Sequence, residues 1–197
     1  MTGDRIYREA IREFQKLFAR MGRSGVREPA AVAVATADRL AAPSIRTVLL
    51  KGADERGFVF YTNLQSRKGS QLASNPQAAL CFYWEPLGRQ VIVEGKVERV
   101  SDDEADAYWV TRPRQSQIGA WASAQSRPLK SRAVLVVEAT RLMRKFSGVP
   151  IPRPPHWSGF RVVPERIEFW KRRPFRLHER RLYSKEAGGW KRHILSP

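Results

Sequence analysis

Residues 89–100 read RQVIVEGKVERV, and the apolar side chains of this stretch recur at alternate positions. Val91, Val93 and Val97 fall at odd positions, with Ile92, Glu94, Gly95 and Lys96 between them, which is the period of a β-strand with one buried face. Similar short β-rich runs precede it: AVAVATA (31–37), SIRTVLLK (44–51), GFVFYTN (57–63) and AALCFYW (78–84). Several short strands at near-regular spacing predict an antiparallel barrel.

Helices are predicted around these strands. In residues 4–21, apolar side chains share one helical stripe, and Ser101 with Glu104 forms a capping-box pattern that opens a helix to about Trp109. Further segments are assigned as helices over 66–74 and 132–146, and as strands over 160–163, 167–170, 180–183 and 190–195. The fold class predicted is mainly β with added α-helices. We expect one domain over 1–197, with a helix in 1–28 and the barrel in 29–197.

The composition restricts the class of protein. The formal net charge is +17, and residues 107–197 hold 20 Lys and Arg against 5 Asp and Glu. Such an excess attracts nucleic acid, anionic lipid or phosphorylated small molecules, or it is a solvated surface. No run of about 18 apolar residues indicates a membrane helix, and the N-terminus does not resemble a secretory signal. With Cys81 as the one cysteine, we expect a cytoplasmic protein without intrachain disulfides.

Common catalytic motifs do not occur in the sequence. His156, His178 and His193 are not spaced as metal ligands, so no metal site is expected. Neither a Walker-type loop nor a G-x-G-x-x-G fingerprint is found, and no helix-turn-helix, RRM or zinc-finger pattern supports nucleic-acid binding. A chain of this kind often takes its chemistry from a cofactor.

Several clusters combine cations with hydroxyl or amide side chains. In RTVLLK (46–51), strand alternation places Thr47, Leu49 and Lys51 on one face, with the lysine at the strand end. SRKG (66–69) begins a helix, where free N–H groups and two cations suit a phosphate; RPRQSQ (112–117) has similar groups. Each cluster is equally compatible with solvated surface charge. If residues 176–180 are a strand, the basic side chains at 176, 178 and 180 share one face, which favours an anionic ligand there.

Taken together, these segments resemble the pyridoxine/pyridoxamine 5′-phosphate oxidase family. The matching pieces are RTVLLK (46–51), FYTN (60–63), SRKG (66–69), FYWEPLGRQV (82–91), RPRQSQIGAWASAQS (112–126), EFW (168–170) and RLHER (176–180). They follow one another in a consistent order from about Ala31 to Pro197. The resemblance implies an FMN-binding split β-barrel of the antiparallel Greek-key type, flanked by helices. It also implies a homodimer with FMN in each of two clefts at the subunit interface.

When the family's site residues are carried over by position, the resemblance implies three groups of residues in this chain. The residues expected to bind FMN are Arg46, Thr47, Val48, Leu49, Leu50, Lys51, Tyr61, Thr62, Arg67, Lys68, Gln90, Gln125, Ser126, Trp170 and Arg180. The residues expected to bind the substrate phosphate are Lys51, Tyr108, Arg112 and Ser116. Arg176 and His178 are expected to lie over the substrate ring as the catalytic residues, acting through orientation and charge.

The activity implied is oxidation of pyridoxamine or pyridoxine 5′-phosphate to pyridoxal 5′-phosphate. Hydride passes to the flavin, and O2 then reoxidises the flavin and gives H2O2. One alternative is a phenazine-biosynthesis flavin oxidase with a non-phosphorylated tricyclic substrate, in which Glu179 of RLHER is also found. A flavin-binding protein without this turnover is a second alternative, and a nucleic-acid-binding protein is a third.

Overall fold

The computed structural model describes residues 2–197, with side chains from Arg5 onward; Met1, the first residue of the expected domain, lies outside the described residues. The helices are α1 (Thr2–Gly22), α2 (Arg67–Ser74), α3 (Asp102–Thr111), α4 (Arg114–Ala122) and α5 (Arg132–Lys145). The strands are β1 (Ala31–Ala37), β2 (Pro43–Asp54), β3 (Gly57–Asn63), β4 (Gln77–Trp84), β5 (Arg89–Arg99), β6 (Trp157–Lys171), β7 (Glu179–Glu186) and β8 (Gly189–Leu195).

The strands form a closed antiparallel barrel. Their order is β3-β2-β1-β4-β5-β6, and β6 pairs with β3 to complete the circle of six strands. Strands β7 and β8 continue the sheet beyond β6. Because β4 returns to lie beside β1 after the β1-β2-β3 meander, the order 4-1-2-3 is that of a Greek key. The prediction of an antiparallel Greek-key barrel with added helices is confirmed.

The barrel interior is filled by the alternating apolar residues of its strands. Val91 and Val93 of β5 are fully buried, as the period-2 pattern predicted. Helix α1 contributes its apolar stripe to the same core, with Phe14 edge-on to Phe58 at 4.7 Å between ring centroids and to Phe82 at 5.0 Å. The aromatic contacts explain why an amphipathic helix precedes the first strand: it covers part of the barrel's apolar core.

Strand β6 differs from its prediction. The two expected pieces, 160–163 and 167–170, belong to one strand of 15 residues. Pro164 lies between them, opposite Gly95, where the pairing register shifts. A Cβ at Gly95 would lie 2.0 Å from the Val163 carbonyl oxygen, so only glycine permits this close approach. The proline interrupts the ladder without ending the strand, and for that reason the division into two strands was wrong.

The helix caps follow the sequence signals. Ser66 and Ser101 accept hydrogen bonds from the N–H groups of Gly69 and Glu104, as N-cap residues do. The Glu104 carboxylate accepts two hydrogen bonds from the buried Arg161, at 2.6 and 2.7 Å, and this contact ties α3 to β6.

Helix α4 is absent from the prediction, which interpreted residues 112–117 as a polar cluster. Only Arg112 and Pro113 separate α3 from α4, so the two short helices follow one another with almost no loop. A second apolar cluster forms where these helices and α5 meet the start of β6; it contains Trp109, Ile118, Leu142, Phe146, Ile151 and Trp157. Within residues 2–197, none of the helices is long and apolar enough to span a bilayer.

Candidate active site

A cleft of about 610 Å³ opens between strands β2 and β3 and helices α2 to α4. The β2–β3 hairpin, the start of α2, the end of α3 and the helix α4 supply most of its walls, and Trp157 at the start of β6 closes one side. The predicted site residues that line the cleft are Thr47, Val48, Leu49, Lys51, Tyr61, Thr62, Lys68, Tyr108, Arg112, Ser116 and Gln125. The cleft therefore brings together residues predicted for the cofactor with all four residues predicted for the substrate phosphate.

Strand β2 presents its residues to the cleft by alternation. Thr47, Leu49 and Lys51 line the cleft, as the predicted face requires, whereas the Leu50 side chain is buried in the barrel core. Val48 packs against that core and also borders the cleft. The β2–β3 register shifts between Leu50 and Gly52, so Lys51 is the extra residue of a bulge at the cleft wall.

Lys68 is a buried cation with only neutral partners. Lys68 is 7% exposed, and its Nζ donates to Thr62 Oγ1 at 2.9 Å and to Gln125 Oε1 at 3.1 Å. Burial, together with the charge of Arg46, lowers the pKa of Lys68 to about 8. Among residues 5–197 no carboxylate forms a salt bridge with it. A buried ammonium in these surroundings is stabilised by an anionic ligand.

Arg46 and Arg67 add two cations near the same helix end. Arg46 donates to Thr36 Oγ1 at 2.6 Å and to the Val34 carbonyl. Burial, and to a smaller extent the positive charge of Arg67, lowers the pKa of Arg46. Arg67 is the exposed first residue of α2. Three cations beside a helix N-terminus, with neutral hydrogen-bond partners, fit the phosphate of FMN.

Arg112 lies over aromatic rings. Its guanidinium carbon is 4.6 Å from the ring centre of Trp157 and 5.3 Å from that of Trp109, and its Nη2 donates to the Ser116 carbonyl at 3.0 Å. Its Nε is buried and has no hydrogen-bond partner in the described part of the chain. Burial lowers the Arg112 pKa. An unpaired, buried N–H on a half-buried cation fits a second anion in the cleft.

Tyr108 and Tyr61 are stacked, with 4.1 Å between ring centroids, and they connect the two cation groups of the cleft. Sequence analysis missed six residues that line the cleft: Asn63, Pro113, Gly119, Ala120, Ser123 and Trp157. Asn63 and Ser123 are joined by a side-chain to backbone contact of 3.4 Å. Neither polar residue has a sequence signal of its own, because the contact depends on tertiary packing.

A second group of predicted residues lies on the sheet formed by β5, β6 and β7. Gln90 pairs with Trp170, and Trp170 pairs with Arg180, so the three side chains project from one face. The ring of His178 is 4.6 Å from that of Trp170. We call this group, completed by Arg176, the β5–β7 face.

The predicted arrangement of the three basic residues on one strand is wrong. Strand β7 begins at Glu179, and Arg176 ends a 3-10 turn in which Phe175 and Arg176 have φ values of 56° and 61°. Only Arg180 lies on the strand. The sequence pattern RLHER alternates like a strand, but the turn at 174–176 places Arg176 outside the ladder.

Hydrogen bonds define the ring tautomer of His178 and the ion pair of Arg180 on the β5–β7 face. His178 Nδ1 accepts from the Arg173 backbone N–H at 3.2 Å, so the proton of the neutral ring is on Nε2. Arg180 donates to both carboxylate oxygens of Glu168, at 2.7 and 3.0 Å. The charge of Arg180 is thus balanced within the protein, unlike the charges in the cleft.

The cleft and the β5–β7 face lie at opposite ends of β6. Ser158 pairs with Thr62 beside the cleft, and Trp170, twelve residues later, pairs with Arg180. At roughly 3.3 Å per residue, the contour of β6 between these two pairs is about 40 Å. A length of this size along the strand favours a composite site in which the cleft of one chain meets the β5–β7 face of a second copy. Ser126 is exposed, with φ of 70°, and does not line the cleft.

Two protein-family models match the chain. Residues 22–145 match the model described as pyridoxamine 5′-phosphate oxidase, and residues 157–197 match the pyridoxine 5′-phosphate oxidase C-terminal dimerisation region. The second match includes the residues of β6 to β8 and most of the β5–β7 face.

Curated relatives are similar along nearly the whole chain. The pyridoxine/pyridoxamine 5′-phosphate oxidase of Myxococcus xanthus (strain DK1622) is 54% identical over 189 residues, which cover 96% of this chain and 92% of the relative. The protein of the same name from Rubrobacter xylanophilus is also 54% identical over 189 residues, covering 96% and 87%.

Solved structures share the fold. PhzG from Burkholderia lata 383, in complex with tetrahydrophenazine-1-carboxylic acid, superposes with a TM-score of 0.90 at 34% identity and covers 95% of this chain and 92% of that one. A pyridoxamine 5′-phosphate oxidase-related, FMN-binding protein from Nostoc punctiforme has a TM-score of 0.77 at 19% identity, covering 94% and 97%, which supports the fold alone. On the matched family models and the identity to its relatives, the chain belongs to the pyridoxamine 5′-phosphate oxidase family.

Proposed function

We propose that this chain is an FMN-dependent oxidase that converts pyridoxamine or pyridoxine 5′-phosphate to pyridoxal 5′-phosphate, with O2 as acceptor and H2O2 as second product. The observation that carries the proposal is the pair of cation groups in the cleft. Lys68 lines the cleft and forms one group with Arg46 and Arg67, which lie outside the cleft lining; the charge of Arg46 acts on Lys68, and that of Arg67 acts on Arg46. Arg112 and Lys51, which both line the cleft, form the other group. No member of either group is paired with a carboxylate in residues 5–197. A cofactor phosphate and a substrate phosphate would satisfy one group each.

The oxidase is a homodimer with FMN at the subunit interface. The separation of the cleft from the β5–β7 face along β6 supports this arrangement, because each cleft needs Gln90, Trp170 and Arg180 from a partner chain. The family match of residues 157–197 to a dimerisation region supports it independently. A symmetric dimer then contains two equivalent sites.

The first cation group would hold FMN, which supplies a two-electron acceptor when bound. Lys68 would meet the phosphate as an ammonium, and the backbone N–H groups at the start of α2 would donate hydrogen bonds to the same phosphate. Gly69 permits the tight turn into the helix, since a Cβ there would lie 2.2 Å from the Leu64 carbonyl oxygen. Thr47, Leu49 and Tyr61 would form the wall beside the cofactor.

The second group would hold the substrate phosphate. Arg112 offers its unpaired Nε–H, and Tyr108, Ser116 and Lys51 line the same part of the cleft. Fixing the phosphate sets the position of the pyridine ring, so the carbon to be oxidised is held against the cofactor in one orientation.

Arg176 and His178 of the partner's β5–β7 face would lie over the substrate ring. The Nε2–H of neutral His178 can donate to a polar substituent, and Arg176 adds positive charge; it forms no salt bridge within residues 5–197. Neither role needs a covalent nucleophile. The two residues would bind and orient the substrate and stabilise the charge that develops on it.

The phenazine-type alternative is less well supported. The PhzG structure is 34% identical to this chain, whereas the two curated pyridoxine/pyridoxamine 5′-phosphate oxidases are 54% identical. The four residues proposed for the substrate phosphate are present and share one cleft. Glu179, the residue shared with phenazine oxidases, is bound to Arg173 at 2.8 Å and lies 3.8 Å from Lys171, so surface ion pairs account for it.

Two further expectations stay proposals. Residues 1–197 are proposed to form one domain, because α1 shares a core cluster with the barrel strands. The cytoplasm is proposed as the compartment, since the chain has a single cysteine and its fold depends on no intrachain disulfide.

The function is tested by an anaerobic absorption spectrum of the purified protein before and after addition of pyridoxamine 5′-phosphate. Flavin absorbance that bleaches with this compound and returns with air, together with formation of pyridoxal 5′-phosphate, is expected. A yellow protein that the compound does not bleach would contradict the substrate, and a protein that cannot take up FMN would contradict the whole proposal.

A further inference from the structure

Arg112 is held in the cleft by an aromatic ring where an acidic side chain would be the common partner. Its guanidinium carbon is 4.6 Å from the ring centre of Trp157, and within the described chain it forms no salt bridge. A carboxylate in that place would compete with a bound phosphate for the same N–H groups. A ring face attracts the cation through its quadrupole and leaves both the charge and the N–H edge for a ligand.

The ring of Trp157 is itself immobilised. The residue is 3% exposed, its backbone N–H donates to the Pro154 carbonyl at 3.0 Å, and its carbonyl accepts from Arg153 Nη1 at 3.0 Å. Tyr61 stacks on the ring with 5.2 Å between centroids and 9° between planes. Trp109 packs edge-on at 4.9 Å. The ring is therefore a fixed support under a flexible side chain.

We infer that Trp157 is a positioning residue for the substrate phosphate: it fixes the guanidinium of Arg112 in the cleft with its charge unneutralised. The inference rests on the proposed function and adds a residue that the sequence reasoning did not assign. Without the ring, Arg112 keeps its charge but samples several rotamers, so part of the binding free energy is lost in ordering it. The loss falls on substrate binding, since Trp157 does not touch the reacting carbon on this account.

Trp157→Leu tests the inference in the holoenzyme. We expect the KM for pyridoxamine 5′-phosphate to rise about tenfold, from loss of the cation–π contact and of Arg112 order, with kcat changed by less than about twofold. The Trp157→Phe variant keeps a ring and should recover most of the loss. FMN content and the thermal midpoint of the holoenzyme are recorded for each variant.

Trp121→Leu is the matched control. Trp121 is a nearby tryptophan whose ring contacts Phe146 and His156, and it does not line the cleft. The same loss of indole should leave its KM within about twofold of the original value. A tenfold rise in KM in Trp121→Leu would show a general packing effect and would overturn the inference.

A double-mutant cycle separates positioning from packing. In an Arg112→Lys background, which keeps a charge but has no planar group to stack, Trp157→Leu should add less than about twofold to KM. A full additional tenfold rise, or a fall in kcat at constant KM, would overturn the inference. If Trp157→Leu does not fold, Trp157→Phe in the two backgrounds gives the same comparison with a smaller effect.

The proposed function fails separately, if the unmodified holoenzyme does not oxidise pyridoxamine 5′-phosphate. If the unmodified enzyme is active but Trp157→Leu leaves the KM unchanged, only the positioning role of Trp157 is contradicted.

Discussion

The cleft and the β5–β7 face both contain arginines, but the two regions treat positive charge in opposite ways. In the cleft, the buried Lys68 and the half-buried Arg112 lie against hydroxyl, amide and aromatic groups. On the face, Arg180 is bound by Glu168 through two hydrogen bonds, and Arg173 is bound by Glu179. The cleft is thus left positive, whereas most of the face is close to neutral.

The difference indicates what each region binds. A cation without an acidic partner is costly to bury and gains most from an anion, which suits the phosphates of FMN and substrate. Paired charges and the tilted Trp170–His178 ring pair suit uncharged ring surfaces. The two phosphate ends would then lie in one chain's cleft, with the rings covered by the partner's β5–β7 face.

The largest expected effect is complementation between two damaged chains. Arg112→Ala damages the cleft and His178→Ala damages the face, and each homodimer should lose about 100-fold in activity at low substrate concentration. In the purified heterodimer, one site carries both substitutions and the other carries none. It should regain about half of the original activity, because the intact site takes its cleft and its face from different chains.

A heterodimer built from two differently tagged but unsubstituted chains is the control and should be fully active. If the mixed heterodimer shows only the mean activity of its two parents, the cleft and the face belong to a site within one chain, and the composite arrangement is wrong.

A smaller effect is expected on the pH dependence of FMN binding. Lys68 has a pKa lowered to about 8 by burial, and FMN phosphate binds its protonated form. As pH rises through 8, the free protein loses this proton, so the dissociation constant of FMN should rise by up to about tenfold per pH unit. In the FMN-free protein, the same group raises stability with increasing pH between about 8 and the unfolded value of 10.5, because the unfolded chain then binds more protons.

Lys68→Arg provides the comparison, since its guanidinium stays protonated and should give a nearly flat profile from pH 7.5 to about 9. The measurement is quenching of FMN fluorescence on binding. Equal slopes in both proteins would assign the pH dependence to a group other than Lys68.

The smallest effect on FMN binding is expected from a substitution on the β5–β7 face, where the charges are paired. Glu168→Gln removes the carboxylate charge that holds Arg180, and the dissociation constant of FMN should rise about two- to threefold, because solvent reaches the Arg180 side chain, which is 32% exposed, and screens the pair. Glu186→Gln, whose carboxylate binds Lys191 and His193 farther along β7, is the matched control. An equal change in both variants would show that the effect is one of net charge.

Much of the barrel could be predicted from the sequence, because each strand carries a local signal. The alternation in 89–100 and the serines at positions 66 and 101 specify a strand and two helix starts through contacts within a few residues. Pro164 and the turn at 174–176 gave wrong boundaries. Their conformations are imposed by β5 and by the β6–β7 connection, which local patterns do not contain.

The cleft residues that came from the family resemblance were found because their motifs are local. Trp157 was not, because nothing in the letters HWSGF states that an arginine 45 positions earlier will lie on that ring. The sequence also could not predict which arginines form ion pairs. Whether an arginine is paired depends on which acidic residue the fold places beside it, as Glu168 is placed beside Arg180.

The position of the two half-sites at opposite ends of β6 has a consequence for the cell. A newly made chain carries half of each catalytic centre and would bind flavin incompletely. On the proposed arrangement, peroxide formation would therefore depend on assembly, and chains that are unpaired or diluted would not turn over.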